Sequence, residues 1–336
     1  MTVHEPRRDH TADQSDPDQT RVRVSSTADM LALIPYLLGF QPHDSLVVVL
    51  LGGNRVQLTA RVDLPRPEGR RDVFAIADHF RGVAEHSGAD GAVLAVFSAD
   101  EPWAVEVVTE VEAELGELVF TSLVCTGDSF RVVVAGEAGP STPFDPAGTA
   151  TAATAVYHGM RLLPDRESLA ALTAPGDPAA IRAVADAADT VRLPWLLADR
   201  RLAMVCHVET LLRRDEPPGP DDCARLALLA IDLEVRDVAW FLMRPDNAKD
   251  HLRLWGEVAR RSPMDLSAAP VCLFGMAAWL SGDGATALCC AERAMDEHPG
   301  YTMAQLVFDL VESATPPQAW ADMVATEPPG LTDLAG

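Results

Sequence analysis

The stretch "LIPYLLGFQPHDSLVVVL", residues 33–50, carries the chain from a helix into a strand, and the fold of the first half depends on it. The helix begins after Ser26, a residue type that caps helix N-termini. Pro35 is expected to bend this helix or restart it, because proline removes an intrahelical hydrogen bond. Gly39 then permits a stop, and Pro42 prevents the helix from resuming.

A β-hairpin is predicted directly after this helix. Residues 46–51 form a continuous apolar run, and "GGN" at 52–54 has the composition of a turn. Residues 55–64 alternate between apolar and polar side chains, as expected for a strand with one buried and one wetter face. A short strand is also predicted before the helix, at "RVRVSS", residues 21–26.

Helices and strands then alternate. Apolar residues at helical spacing over 73–84 are followed by "GAVLAVF", residues 91–97, which is typical of a strand buried on both faces. A further helix begins near Asp100, a strand follows at 117–125, and a turn at "TGD" returns the chain as another strand. This order predicts parallel crossovers with a hairpin at either end, and therefore a mixed sheet.

The expected strand directions place several polar residues at one edge of that sheet. If the strands at 55–64, 91–97 and 117–125 are parallel, their carboxyl ends share the edge at which open α/β sheets usually bind ligands. The strand at 46–51 runs the other way, so its first residues lie at that edge too. The candidate sheet-edge site consists of His43, Asp44, Ser45, Asp63, Ser98, Asp100 and Asp128.

These aspartates have two interpretations. Converging carboxylates could hold Mg²⁺ and support hydrolysis of a phosphoester. Each is explained equally well by local structure, as a helix cap at Asp100, a hairpin turn at Asp128, a turn before a strand at Asp44 and an outward strand position at Asp63. No catalytic residue is assigned, no cofactor is expected, and Mg²⁺ enters only under the first interpretation.

The second half is predicted to be entirely helical. "GEAGPSTPFDPAG", residues 136–148, is rich in turn formers and marks the boundary. The predicted organisation is a disordered acidic tail at 1–20, an α/β mixed-sheet domain at 21–146, a helical domain at 147–328 and a tail at 329–336. Helices are expected at 147–160, 165–173, 177–190, 195–214, 221–232, 234–244, 248–261, 266–281, 284–297, 301–313 and 317–326.

One helical hairpin in this half is similar to a tetratricopeptide repeat, so the expected fold is an α/β domain followed by an all-α, tetratricopeptide-like domain. In "VCLFGMAAWLSGDGATALCCAERAMDEHP", residues 271–299, the small residues and the terminal proline occupy the places of that repeat. They are Gly275, Ala287, Ala294 and Pro299. A weaker copy ends at Pro263, with His251 where the first alanine would stand. The hairpins serve either packing alone or a protein-binding groove, and exposed aromatic residues or arginines on successive first helices would favour the groove.

Composition excludes several classes of function. The net charge of −23 repels nucleic acid and anionic membranes, and the arginines at 200, 201, 213 and 214 are explained by surface pairing. The one lysine, Lys249, lies outside any glycine-rich loop, which excludes P-loop, kinase-type and Schiff-base chemistry. No long apolar run or basic leader predicts a membrane span or signal peptide, so a cytoplasmic protein is expected.

Cysteine and histidine spacing gives no metal site. None of the six cysteines forms a C-x-x-C pair, and several lie in apolar helices, which favours reduced thiols within the core. The nine histidines include no H-E-x-x-H motif, and His79 and His86 are interpreted as surface residues. Structural zinc is therefore not expected.

Three stretches resemble an actinobacterial family catalogued as domain of unknown function 4192. They are "LIPYLLGFQPHDSLVVVLL", "AATAVYHGMRLLPDRESLAAL" and "AAWLSGDGATALCCAERAMDEHPGYTMAQLV", within a match expected over residues 21–325. The resemblance implies a cytoplasmic bacterial protein and supplies no activity, substrate or catalytic residue.

The leading hypothesis from the sequence is a non-enzymatic module that binds a protein or a small ligand, with a protein partner expected and homo-oligomers allowed. The alternative is a divalent-metal-dependent hydrolase or nucleotide-processing enzyme that uses the four aspartates. A third hypothesis makes Ser45 a nucleophile, although no G-x-S-x-G motif surrounds it and no histidine base can be assigned.

Overall fold

The apolar run after the polar insert forms a strand buried on both faces. In the computed structural model, which describes residues 22–53 and 55–325, the helices and strands of the first half come in the following order. They are α1 (Thr27–Leu38), β1 (Ser45–Gly52), β2 (Arg55–Asp63), α2 (Arg70–Ser87), β3 (Gly91–Phe97), α3 (Glu101–Leu115), β4 (Val119–Thr126), β5 (Ser129–Val134), β6 (Glu137–Ala138) and β7 (Thr142–Pro143). The tails predicted at 1–20 and 329–336 lie outside the described residues.

These strands form one mixed sheet, as predicted. The strand order is β2-β1-β3-β4-β5-β6, and β7 also pairs with β5. β1 is antiparallel to both β2 and β3, while β3 and β4 are parallel. Because β1 lies between them, β2 points in the same direction as β3 and β4.

Alternation along β1 directs its side chains into two separate cores. Leu46, Val48 and Leu50 pack with residues of α2 and α3 on one face of the sheet. Val47 and Val49 pack with α1 on the other face. A strand apolar at every position is therefore covered on both sides, which is what the uninterrupted run 46–51 requires.

Helix α1 is continuous through Pro35, so of the two predicted outcomes, a bend or a restart, the restart is wrong. Ser26 caps its start by accepting a hydrogen bond from the Asp29 amide at 3.1 Å, and Gly39 ends it with φ of 78°. The helix is not restarted at Pro35 but runs on to Leu38, since proline removes only one hydrogen bond and fits among the buried residues of its last turns.

The strand predicted at 21–26 is wrong over the described residues 22–26, which are not paired with the sheet. The carbonyl of Arg23 instead accepts a hydrogen bond from Thr151 Oγ1 at 3.4 Å. Alternating valines and arginines are compatible with a strand, but they do not by themselves provide a strand to pair with.

Helices alone make up the second half from residue 149 onward among the described residues, and each predicted helix is present. They are α4 (Ala150–Tyr157), α5 (Arg166–Thr173), α6 (Pro178–Thr190), α7 (Leu197–Leu212), α8 (Pro220–Leu229), α9 (Leu233–Phe241), α10 (Ala248–Arg261), α11 (Met264–Leu280), α12 (Gly284–Glu297), α13 (Thr302–Glu312) and α14 (Pro317–Ala325). No helix within 22–53 and 55–325 combines the length and apolar character that crossing a membrane requires.

Contacts join the two halves on the α1 face of the sheet. Leu163 pairs with the segment after α1, donating to the Gly39 carbonyl and accepting from the Gln41 amide, both at 2.9 Å. Arg166 on α5 donates to both carboxylate oxygens of Glu292 on α12 at 2.7 Å. The first helices beyond the predicted boundary thus pack against the first half as well as the second.

Candidate functional site

One edge of the sheet collects the residues that the sequence singled out. Ser45 at the start of β1 pairs with Asp63 at the end of β2 and with Phe97 at the end of β3. Phe97 in turn pairs with Cys125 near the end of β4. The carboxyl ends of the three parallel-running strands therefore share an edge with the first residue of β1, as predicted.

A cavity of about 340 Å³ opens at this edge, between the sheet, α1 and the segment after β7. Its apolar wall consists of Leu31, Pro35, Pro42, Phe97, Phe144 and Pro146. Polar side chains reach it from Gln41, His43, Asp44 and Ser98. A mostly apolar wall with a few polar groups is the usual composition of a small-molecule site, and the volume lies at the lower end for such sites.

Asp44 is an exposed residue of the cavity wall with an unusual backbone conformation. Its φ of 39° lies in the left-handed region, which aspartate tolerates better than most residues other than glycine. Two hydrogen bonds hold it there, from the Leu64 amide to the Asp44 carbonyl at 2.7 Å and from Ser98 Oγ to Asp44 Oδ1 at 2.8 Å. Backbone held in a sparsely populated conformation is a feature of functional sites.

Ser98 connects Asp44 with the start of α3. Besides donating to Asp44, its hydroxyl accepts a hydrogen bond from the Asp100 amide at 3.3 Å. The Asp100 carboxylate caps α3 by accepting from the Trp103 amide at 3.2 Å. The cap predicted for Asp100 is therefore present, and it uses one oxygen of the carboxylate that the metal interpretation needed.

Ser45 is unsuited to nucleophilic attack. Its side chain is fully buried, its hydroxyl donates to the His43 carbonyl at 2.6 Å, and Arg61 Nε donates to it at 2.8 Å. Arg61 also pairs with Asp63 at 2.6 Å. The hydroxyl therefore anchors the start of β1, which corrects the hypothesis of a nucleophile at this position.

The remaining predicted aspartates do not join Asp44. The side chain of Asp63 is 85% exposed and pairs with Arg61, and Asp128 is an exposed residue of the β4–β5 turn. Over the described residues, no group of three or more His, Cys, Asp or Glu side chains lies close enough together to hold a metal ion. The shared edge is present, but its carboxylates are not directed to one point.

The part of the cavity wall that follows β7 was missed from the sequence. Phe144 and Pro146 come from the segment interpreted as a boundary loop, which the Phe144 amide fixes by donating to the Asp128 carbonyl at 2.7 Å. The Phe144 ring meets Phe130 edge-on at 5.8 Å. An aromatic residue between two prolines was the available signal that this loop packs against the sheet.

Cys125 lies in the cavity wall as a neutral thiol. Burial raises its pKa to about 12, so the thiolate that would attack an electrophile or bind a metal is not formed at neutral pH. All six cysteines are free, and five are buried, as the sequence predicted.

The repeat-like hairpin is a site of close helix packing. Ala287 and Ala294 on α12 are fully buried, Gly275 on α11 faces α12, and exposed Pro299 follows the end of α12. Thirteen of the seventeen residues of α11 are buried, including Phe274 and Trp279. On α9, the other first helix, Arg236 and Trp240 are buried as well.

The fold and the cavity define a class, a mixed-sheet α/β protein with a cavity of small-molecule size at one sheet edge, continued by a helical region. The chain belongs to the family described as Domain of unknown function (DUF4192), which matches it over residues 28–318. This confirms the family resemblance found in the sequence. No curated protein and no solved structure matches the chain at a significant level.

Proposed function

We propose that this protein is a non-enzymatic binding protein whose ligand is a small molecule held in the sheet-edge cavity. The observation that carries the proposal is Asp44, kept at a φ of 39° on the cavity wall by hydrogen bonds to Leu64 and Ser98. These contacts fix a carboxylate next to an apolar wall before any ligand arrives, and such preorganisation lowers the cost of binding. The six free cysteines support a reducing compartment such as the cytoplasm.

Binding is favoured over catalysis because three of the candidate reactive side chains at the edge are buried or used in local contacts. Ser45 is buried and hydrogen-bonded, Cys125 is a neutral thiol, and Asp100 caps a helix. The metal-dependent alternative needs several ligands in one place, and the aspartates within the described ranges offer no such group.

For the helical region, packing is favoured over a protein-binding groove. The sequence criterion was exposed aromatic residues or arginines on the first helices of the two hairpins. On α9 and α11 the arginine and three of the four aromatic residues are buried, and Phe241 is half-buried. The residues of α9 and α11 therefore do not support a protein partner or a homo-oligomer, and both remain predictions.

A substitution that fills the cavity tests the proposal. Ala99 is an exposed residue of the cavity wall, so tryptophan at this position is expected to block the cavity without disturbing either core. Native mass spectrometry after incubation with a deproteinised bacterial cell extract is expected to detect a bound small molecule on the wild-type protein. Ala99→Trp should reduce the bound fraction at least tenfold.

Ala75→Trp is the matched control. Ala75 is equally exposed but lies on α2, which packs against the opposite face of the sheet. This variant should retain the same bound species as the wild type. Equal binding by all three proteins, or no bound species on any of them, would contradict a ligand in this cavity.

A further inference from the structure

The cavity lies next to the N-terminus of a helix, where an anionic ligand could be expected to bind. At the carboxyl edge of an α/β sheet, phosphates and other anions commonly bind at the N-terminus of the helix that follows a strand. Here that helix is α3, which begins directly after the cavity residues Ser98 and Ala99. An anion would have to approach the free amides of its first turn.

That helix terminus is occupied by the chain itself. The Asp100 carboxylate accepts from the Trp103 amide, and the Asp100 amide donates to Ser98 Oγ. Glu101 adds a second acidic residue in the first turn and pairs with Arg131 at 3.0 Å. The positive end of the helix dipole already interacts with these carboxylates. An anionic ligand would therefore be repelled there, not attracted.

The cavity wall itself offers a negative charge and no arginine or lysine. Asp44 Oδ1 accepts from Ser98, whereas Oδ2 accepts no hydrogen bond from any described residue. Arg61, near the same edge, is paired with Asp63. His43 is the one wall residue that can become positive, and it lies close enough to Asp165 to help Ser168 lower the pKa of that carboxyl.

Three further aspartates are next to wall residues in the sequence. Asp100 follows Ala99, Asp128 follows Gly127, and Asp145 lies between Phe144 and Pro146, so each is adjacent in sequence to a wall residue. They add acidic residues next to the wall, in a chain whose net charge is −23. A negative approach to an apolar cavity favours cations and disfavours anions before contact is made.

We infer that the ligand combines an apolar group, held by the apolar wall, with a cationic or hydrogen-bond-donating group that binds Asp44 Oδ2. Phosphorylated and carboxylated molecules are expected to bind more weakly, because the same carboxylate repels them. This inference rests on the proposed function and adds the chemical class of the ligand to it.

Three probes that share one ring and differ in charge test the inference. Benzylamine, benzyl alcohol and phenyl phosphate are titrated into the full-length protein at pH 8, and binding is measured by protein-observed NMR at cavity residues. Benzylamine is expected to bind most tightly, benzyl alcohol less tightly and phenyl phosphate at least tenfold more weakly than benzylamine. Phenyl phosphate binding as tightly as benzylamine would overturn the inference.

Two substitutions that remove the same charge separate a local from a general effect. Asp44→Asn should weaken benzylamine binding about tenfold and change benzyl alcohol binding less than twofold. Asp186→Asn removes one carboxylate from an exposed position on α6 that does not line the cavity, and it should leave both probes unaffected. Equal losses in the two variants would assign the preference to net charge and overturn the role of Asp44.

The probes also distinguish the binding function from the preference for a cationic ligand. If benzyl alcohol binds in the cavity and benzylamine binds no better, the charge preference fails while the binding function stands. If no probe shifts any cavity residue, the proposed function fails together with the inference.

Discussion

Replacing Gly275 by leucine is expected to lower the free energy of unfolding by about 3 kcal/mol, the upper part of the usual range for overpacking a core. A β-carbon on Gly275 would lie 3.0 Å from Cys290 Cβ, 3.2 Å from Val307 Cγ1 and 3.4 Å from the Ala287 carbonyl. Two of these three atoms belong to α12, so a longer side chain must push α12 away from α11. Urea unfolding followed by circular dichroism measures the loss.

Gly82→Ala provides the control for changing glycine within a helix. Gly82 is exposed on α2, and an added β-carbon would meet no heavy atom within 4 Å. This substitution should raise stability by about 0.5 to 1 kcal/mol, because alanine has the higher helix propensity. If Gly275→Leu unfolds too readily to be measured, Gly275→Ala supplies an intermediate case. Wild-type stability in Gly275→Leu would disprove the close helix contact.

Acid is expected to destabilise the helical region through His251. This side chain is fully buried, and neither ring nitrogen makes a hydrogen bond of normal geometry within the described residues. Burial lowers the pKa of His251 to about 4, against the weaker opposing effects of the Asp250 charge and the Leu242 carbonyl. The imidazole is therefore held neutral in the folded protein below the pH at which it would be protonated in the unfolded chain.

The direction of the effect follows from proton binding. Between the unfolded pKa of about 6.5 and the folded pKa of about 4, the unfolded chain binds a proton at His251 that the folded chain does not. Above pH 6.5, His251 does not lower the free energy of unfolding. As the pH falls from 6.5 to about 4, the free energy of unfolding decreases. We expect a loss of about 2 kcal/mol by pH 5 and about 3 kcal/mol by pH 4.

His251→Leu should remove this dependence. Urea unfolding of the variant between pH 7.5 and pH 5 is expected to show about 2 kcal/mol less destabilisation than the wild type. At pH 7.5 the variant should be at least as stable, because it also removes two buried polar atoms that lack partners. His79→Leu, at an exposed position on α2, should follow the wild-type pH profile. Parallel profiles for all three proteins would place His251 in contact with solvent.

The position of His251 shows how far the repeat resemblance extends. It stands where the first alanine of the weaker hairpin was expected, and it is buried as that alanine would be. In the stronger hairpin, Ala287 occupies the equivalent repeat position, and its small side chain lets Gly275 approach closely. The small-residue pattern thus predicted close packing correctly, while the histidine introduces an acid sensitivity that the pattern does not contain.

The sheet edge was predictable because strand direction follows from connectivity. Two residues between β1 and β2 force an antiparallel pair, and helices between β2 and β3 and between β3 and β4 permit the same direction in all three strands. That reasoning placed Asp44, Asp63 and Ser98 at one edge without coordinates. It could not determine which side chains face each other there, because register and rotamers depend on packing.

By itself, the sequence determined the mixed sheet, the helical second half, the buried thiols and the edge to which His43, Asp44 and Ser45 belong. These follow from periodicity, turn residues and connection length, which are local properties of the chain. Only the tertiary structure decided that Asp44 meets Ser98, that Ser45 is anchored by Arg61, and that Phe144 lines a cavity together with Asp44 and Ser98. Those contacts join residues 16 to about 100 positions apart, and their geometry is set by how two cores pack around one strand.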